Sequence, residues 1–472
     1  MKITGVYAVA PSVLRPCEEF SLRFKILTPV HPAGSGCWTK VPALKSPFNL
    51  SPRGIRYLDN VFEGNIGEIE LELEGKIIRF SDYKGIFFDD RRKFGCVEGL
   101  SFPSEGVKLI KIRNPDFREA VSNVILVKEN CRERIFWGDI HCQTFFSDGL
   151  RCVEQLYSFA RDEAFLDFFS LSDHSEWITD RQWDYFCNVA NDFHQEGRFV
   201  TLIGQEWTDH KTGHRNIYFP DRRGKILRAD TDSIEEVYRT AHKFGAIVVP
   251  HHSASSSMGV NWELAHDAEV ERLVEIYSVW GSSELPAAEG NTRPIRVLGG
   301  EKKSQHVIDA LNRGYRFGFV GGGDIHDGRP GDELHIYQEQ PADYRNLYRQ
   351  GLTAVFTEKL TRKEVFRALY ERRCYATSNI RMFLKFSLNG MSSGSVLRSP
   401  GKLYFLITGA SETPVFRVLV ISDGKIYKTF DVCQHYFNLE LEEPFQGEHY
   451  FYVKAERMDG ELAWASPVWI ES

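Results

Sequence analysis

The chain is expected to be an α/β protein, a parallel sheet or barrel with a β-rich region on either side. Three observations lead there. Residues 1–130 and 381–472 carry short runs that look like strands, punctuated by Gly and Pro. Residues 131–380 alternate strand-like and helix-like segments. In that middle stretch, His, Asp and Glu recur where the strands end. At 472 residues, with 42% hydrophobic and 26% charged side chains, two or three globular domains are expected.

In chain order, the runs at 20–24, 69–73 and 107–112 largely alternate apolar and polar residues, the pattern of half-buried antiparallel strands. They predict a β-sandwich-like domain over 1–130. From about 134 the texture changes. Val153, Leu156, Tyr157 and Ala160 form a helical stripe, and Trp183, Phe186, Ala190 and Phe193 form another, ended by Gly197. Ser233 with Glu236, and Thr361 with Glu364, have capping-box spacing and predict helices to about Lys243 and Arg372. Between them lie short apolar runs at 166–171, 199–203, 246–249, 273–279 and 316–320. Alternating β and α units argue for a parallel sheet or barrel over 131–380. Strand-like runs at 418–421, 450–453 and 467–470 predict a second β-sandwich-like domain over 381–472.

Composition excludes several function classes. A net charge of -7 is no footprint for nucleic acid, and no apolar run approaches the ~18–20 residues of a membrane span. The N-terminus is a poor signal peptide, so a cytoplasmic location is expected. The nine cysteines are an odd number with no C-x-x-C pair, which reads as reduced, buried thiols. Cys142, inside the densest polar motif, is read as packing rather than as a nucleophile.

That motif is W-G-D-I-H-C-Q-T-F-F-S-D-G at 137–149, which places Asp139, His141, Gln143 and Asp148 directly after an apolar run. The arrangement repeats. The run at 166–171 leads to Asp173 and His174, 199–203 to Gln205 and Glu206, 246–249 to His251 and His252, and 316–320 through three glycines to Asp324 and His326. Strands of a (β/α) barrel all point one way, so their C-terminal ends open onto one face. A lone His after a strand is usually structural; five such placements predict one shared metal site. Imidazole nitrogen and carboxylate oxygen suit Zn, Mn or Fe(II), and clustered divalent metals suit hydrolysis.

These motifs, together with L-S-D-H-S-E, G-Q-E-W, G-H-R-N-I-Y-F, V-P-H-H and G-G-D-I-H-D-G-R-P-G, resemble the PHP superfamily (polymerase and histidinol phosphatase). Within it the chain is similar to the DUF3604 group, related to carbaryl-hydrolase-like PHP proteins; G-L-T-A-V-F at 351–356 and R-R-C-Y-A-T-S at 372–378 resemble that group too. The resemblance implies a distorted seven-stranded (β/α) barrel holding two or three divalent ions. It implies one metal on His141, Glu206 and Asp324, a second on Glu206 as a bridge with His214 and His251, and a third on Asp148, His174 and His326. His252 is an alternative to His251, and His210 a weaker one to His214. Asp139 and Asp173 are expected to orient the histidines. The superfamily's usual H-x-H is H-x-Q here, so Gln143 either weakens the first metal or faces substrate.

The expected activity is hydrolysis of a phosphoester by a metal-bound hydroxide, with His326, Asp324, Asp148 and His252 as the catalytic candidates. Carboxylic-ester or carbamate hydrolysis is the close alternative, and a degenerate module that binds a ligand without turnover is the second. The expected partner is a small ester or phosphoester. Arg329 offers a fork for an anionic substrate, and Tyr277, Trp280 and Trp177 an aromatic wall. Arg215 should point to the opposite face of its strand from His214, and Arg373 is a weaker substrate candidate.

Overall fold

The computed structural model describes residues 5–27, 68–89, 94–115, 117–149, 151–326, 328–332, 348–398, 401–444, 447 and 449–471. Part of the expected N-terminal domain, residues 28–67, lies outside the described residues.

The N-terminal region is built as two four-stranded antiparallel sheets. One contains Gly5–Val9, Phe20–Leu27, Phe94–Leu100 and Ile86–Asp89; the other contains Phe117–Val121, Lys111–Asn114, Glu70–Leu73 and Lys76–Arg79. Alternation decides which side chains face inward. Leu71 and Leu73 are buried while Glu70 and Glu72 are half-exposed, and they join Leu22, Phe24, Val97, Ile110 and Ile112 in a common core.

The middle region departs from the expected barrel. The chain is mostly β, with five α-helices among the described residues, and no ring of helices encloses a parallel barrel. Between the described strands of this region, parallel pairing joins only Arg134–Asp139 to Phe168–Phe169, Phe168–Phe169 to Val200–Thr201, and Leu273–Ser278 to Gly318–Gly321. Ile203–Trp207, Arg215–Phe219 and Ile247–Pro250 form an antiparallel sheet instead. The reason is connection length. Residues 208–214 are too few for the crossover of a dozen or more residues that a parallel pair needs, so the chain turns straight back on itself. Leu352–Thr357 likewise runs antiparallel to Arg134–Asp139.

The helices that do form follow their capping signals. Ser233 and Thr361 accept the backbone N–H of Glu236 and Glu364 at the starts of Ile234–Phe244 and Arg362–Tyr370. Gly245, at φ 62°, closes the first of these in a left-handed turn. No helix among the described residues is long and apolar enough to cross a membrane. Among the eight described cysteines, Cys17 and Cys433 are exposed rather than buried.

The C-terminal region is not a separate sandwich. Cys374–Thr377 pairs with Leu462–Glu471, so one twelve-stranded sheet runs from Val200–Thr201 through the middle region and on into His449–Arg457 and Lys402–Ser422. A buried ion pair helps lock this junction. Glu284 accepts from Lys454 Nζ at 2.8 Å, Tyr452 Oη at 2.9 Å and Trp464 Nε1 at 2.8 Å. Removing one partner of such a pair strands the other charge. Lys454→Met is expected to lower stability by about 3 kcal/mol, and adding Glu284→Gln should recover part of it; denaturant midpoints of the two variants measure both.

Candidate metal centre

Strands and the segments that follow them deliver most of the donors. His141 follows Arg134–Asp139, and Glu206 lies in the fully buried strand Ile203–Trp207. The short turn returns the chain so that His214 stands at the start of Arg215–Phe219, beside Glu206. Ile247–Pro250, paired to that strand, ends at His251 and His252, and Gly318–Gly321 leads to Asp324 and His326. Two isolated parallel bridges, Cys142 to Ile325 and His174 to Glu206, draw the separate sheets onto one point.

Three donor sets result, the first two sharing His251: Glu206, His214, His251 and His252; His141, His251 and Asp324; and Asp148, His174 and His326. Within each, the ligating atoms lie within 4.8 Å of one another. Glu206 is the hub. Its Oε1 is 2.9 Å from His214 Nδ1, 3.2 Å from His251 Nε2 and 3.4 Å from His174 Nδ1, and its Oε2 is 3.4 Å from His141 Nε2. Burial opposes its charge, but His174, His251 and the bonds from His141 and His214 hold its pKa well below the ordinary carboxylate value. His251 and His252 go the other way. Burial and neighbouring imidazoles depress both, His251 to about 4, so their rings are neutral, the form that ligates.

The donors fit divalent cations. His141 Nε2, His214 Nε2, His251 Nδ1, His252 Nδ1, Asp148 Oδ1 and Gln143 Oε1 are buried without a hydrogen-bond partner. Each such atom costs about 1–3 kcal/mol when left unsatisfied, so six of them spread over the donor sets present a site shaped for positive charge. His and carboxylate donors without a thiolate match Zn, Mn or Fe.

Other side chains fix the ring orientations. His141 Nδ1 is 2.9 Å from Glu275 Oε2, His174 Nδ1 is 2.6 Å from Thr208 Oγ1, and His326 Nδ1 is 3.0 Å from the Asp324 carbonyl. Each turns the opposite nitrogen toward the donor sets. Sequence reading missed Glu275 and Thr208. The signal for Glu275 was a carboxylate midway along the apolar run 273–279. Burial, against the pull of His141, raises its pKa to about 7.

Asp139 and Asp173 hold backbone rather than imidazole. Asp139 Oδ1 accepts the His141 and Gly323 N–H groups at 3.0 and 2.8 Å, and Asp173 Oδ1 accepts Thr144 N, Thr144 Oγ1 and Ser147 Oγ. Burial raises their pKa values to about 7 and 6. Gln143 lies at the floor, its Nε2 donating to Glu206 Oε2 at 3.2 Å and Asp324 Oδ1 at 3.3 Å. His252 joins His251 in one donor set rather than replacing it. His210, with its ring 5.3 Å from His214, is in none of the three sets.

The substrate candidates divide. Trp280 donates from Nε1 to Asp324 Oδ2 with its ring 5.9 Å from His326, and Trp177, 38% exposed, stands 4.9 Å from His174 at the rim. Tyr277 is engaged elsewhere, bonded to Arg293 and the Arg349 carbonyl and stacked on Trp464. Arg329 is paired with Asp332 and lies over the Phe159 ring. Arg215 pairs with buried Glu271, and Arg373 with Glu371. Cys142 is fully buried.

Residues 150–263 match the family described as "Protein of unknown function (DUF3604)". That stretch carries His174, Glu206, His214, His251 and His252, and the match supports the DUF3604 group without extending to the PHP superfamily. A Chlamydia muridarum protein described as "Uncharacterized protein" is 27% identical over 90% of this chain and 71% of its own length. One from Chlamydia trachomatis is 28% identical over 80% of this chain, which spans 64% of that relative. Among solved structures, a Bacteroides uniformis beta-glucuronidase is 8% identical with a TM-score of 0.17 over 99% of this chain and 61% of its own. A glycosyl hydrolase family 2 member from Bacteroides cellulosilyticus is 8% identical with a TM-score of 0.20 over 99% of this chain and 78% of its own. Likenesses that low carry no argument about fold or activity.

Two outcomes follow from the packing around His141. A Cβ at Gly322 would lie 2.0 Å from Glu275 Oε2 and 2.8 Å from His141 Cβ, so Gly322→Ala should displace that pair and weaken Mn or Zn binding in calorimetric titration. Glu275→Gln, which removes only the charge behind the ring, should cost about 10–100-fold in metal affinity with the melting transition retained.

Proposed function

We propose that the protein is a divalent-cation-dependent hydrolase of ester bonds, with a small phosphoester as the favoured substrate, acting in the manner of the PHP superfamily that its motifs resemble. The observation that carries this reading is the three sets of converging His and carboxylate donors, which include buried nitrogen and oxygen atoms without a hydrogen-bond partner. Glu206, His214 and His252 would hold one ion, His141, His251 and Asp324 another, and Asp148, His174 and His326 a third, neutral His251 having a single lone pair to give. Bound there, divalent cations supply an acidified water and positive charge for an oxygen that becomes anionic. Such charge suits an anionic phosphoester better than a neutral ester.

The chain's own groups set the rest of the chemistry. Trp280 and Gln143 fix the Asp324 carboxylate from two sides. With only two ions bound, the His326 and His174 imidazoles, 3.1 and 3.5 Å from Asp148 Oδ1, are the groups placed to give a proton to a leaving oxygen. Trp177 at the rim offers a flat face to the non-reacting part of the substrate.

Turnover of phosphomonoesters, phosphodiesters, carboxylic esters and carbamates, each with Mn, Zn and Fe(II) supplied separately, tests the reading. Phosphoester turnover is expected, and Asp324→Ala and His174→Ala should each reduce kcat/KM at least about 100-fold. Selective turnover of carboxylic esters or carbamates would move the substrate assignment. Less than about one bound transition metal per chain, with no response to added metal, would remove the hydrolase reading altogether.

A further inference from the structure

The strand Lys425–Pro444 is the free edge of the twelve-stranded sheet. It pairs with Lys402–Ser422 along its whole length and, among the described residues, with no strand on its other side. Its 20 residues are exposed almost throughout. An edge of that length is a template for another strand, and proteins ordinarily shorten it, cover it or scatter charge along it. This one keeps its full length and carries charge, but apart from Asp431 gathers that charge at its two ends.

Its charges are sorted by end. Lys425 and Lys428 stand at the start, and Glu440, Glu442 and Glu443 at the finish, with Glu442 also reaching Lys402 across the hairpin. The apolar side chains Ile426, Tyr427 and Tyr436 are exposed along the same strand, with Tyr404 and Phe416 on its neighbour. Exposed large apolar groups on an unpaired edge are characteristic of a surface that is covered in use. The sorted charge says by what. A strand basic at one end and acidic at the other is complementary to itself when two copies run antiparallel, because a two-fold axis sets each basic end against the other's acidic end. Cys433, at φ 51°, and the register shifts of the hairpin near it bend the strand close to its middle. Two straighter arms are left on either side of the axis.

We propose that Lys425–Pro444 pairs antiparallel with the same strand of a second copy of this chain, continuing the sheet across a two-fold axis near Gln434. The pairing uses backbone groups for affinity and the end charges for register.

Light scattering on the full chain tests this. The unaltered protein is expected at twice the chain mass. K425E/K428E and E440K/E442K/E443K should each run as monomers, and mixing the two, one acidic at both ends of this edge and the other basic at both ends, should restore the dimer. A short bismaleimide should cross-link the unaltered dimer through Cys433, and C433S should abolish that product. Because charge reversal can disturb the hairpin itself, amide hydrogen exchange of residues 425–444 in the unaltered protein gives an independent reading; protection there should rise with protein concentration. A monomer at every concentration overturns the proposal. So does a dimer that survives both reversals without a Cys433 cross-link.

Discussion

The Glu206 carboxylate is the constraint on which the rest of the centre depends. It is fully buried, and a charge so placed is stable only if positive or donor groups surround it. His141, Gln143, His174, His214 and His251 all approach its two oxygens. They come from four separate places in the chain, so satisfying one carboxylate forces the strand ends to meet. The antiparallel turn at 208–214 serves the same end. It returns His214 to Glu206 directly, where a helical crossover would have carried the chain away.

Gln143 is best understood within that arrangement. An amide presents two N–H groups to the carboxylates and leaves one oxygen free. Here the N–H side faces Glu206 and Asp324, and Oε1 is the buried atom without a partner. Gln143 therefore links the two acids that belong to different donor sets and holds them apart without adding charge. The left-handed backbone at Asp324, φ 47°, and at His252, φ 32°, is conformational strain kept at the same place. Gly322 and Gly323 permit it, since a side chain at either would strike Glu275, His141 or Asp139.

The donor residues were legible because most sit two to six positions beyond an apolar run. That is why His141, His174, Glu206, His251, Asp324 and His326 could be picked out while the barrel could not. Strand direction depends on connection length and on pairings between distant segments, and neither leaves a periodic trace in the chain. Cys374–Thr377 reads the same whether its partner is a barrel strand or Leu462–Glu471. Glu275 was hidden for a related reason. A carboxylate in the middle of an apolar strand marks no boundary, and its meaning comes from His141, which is far off in sequence. Arg329 and Tyr277 fit the chemistry of a substrate contact, but their partners Asp332, Arg293 and Trp464 are fixed by tertiary packing.

The merging of the C-terminal region into the middle sheet bears on the centre itself. Ser466, on Leu462–Glu471, accepts the Phe319 N–H at 2.8 Å and donates to the Cys374 carbonyl at 2.6 Å. Phe319 belongs to Gly318–Gly321, the strand that carries Gly322, Gly323 and Asp324. Thr353 holds the end of the same strand, accepting the Gly321 N–H and donating to its carbonyl. The strand that presents Asp324 is thus braced from behind by two different segments, one of them from beyond residue 380. A ligand carboxylate can be held in a strained backbone only when what supports it is more rigid than the strain it stores. The late β region is on this account part of the apparatus that positions Asp324.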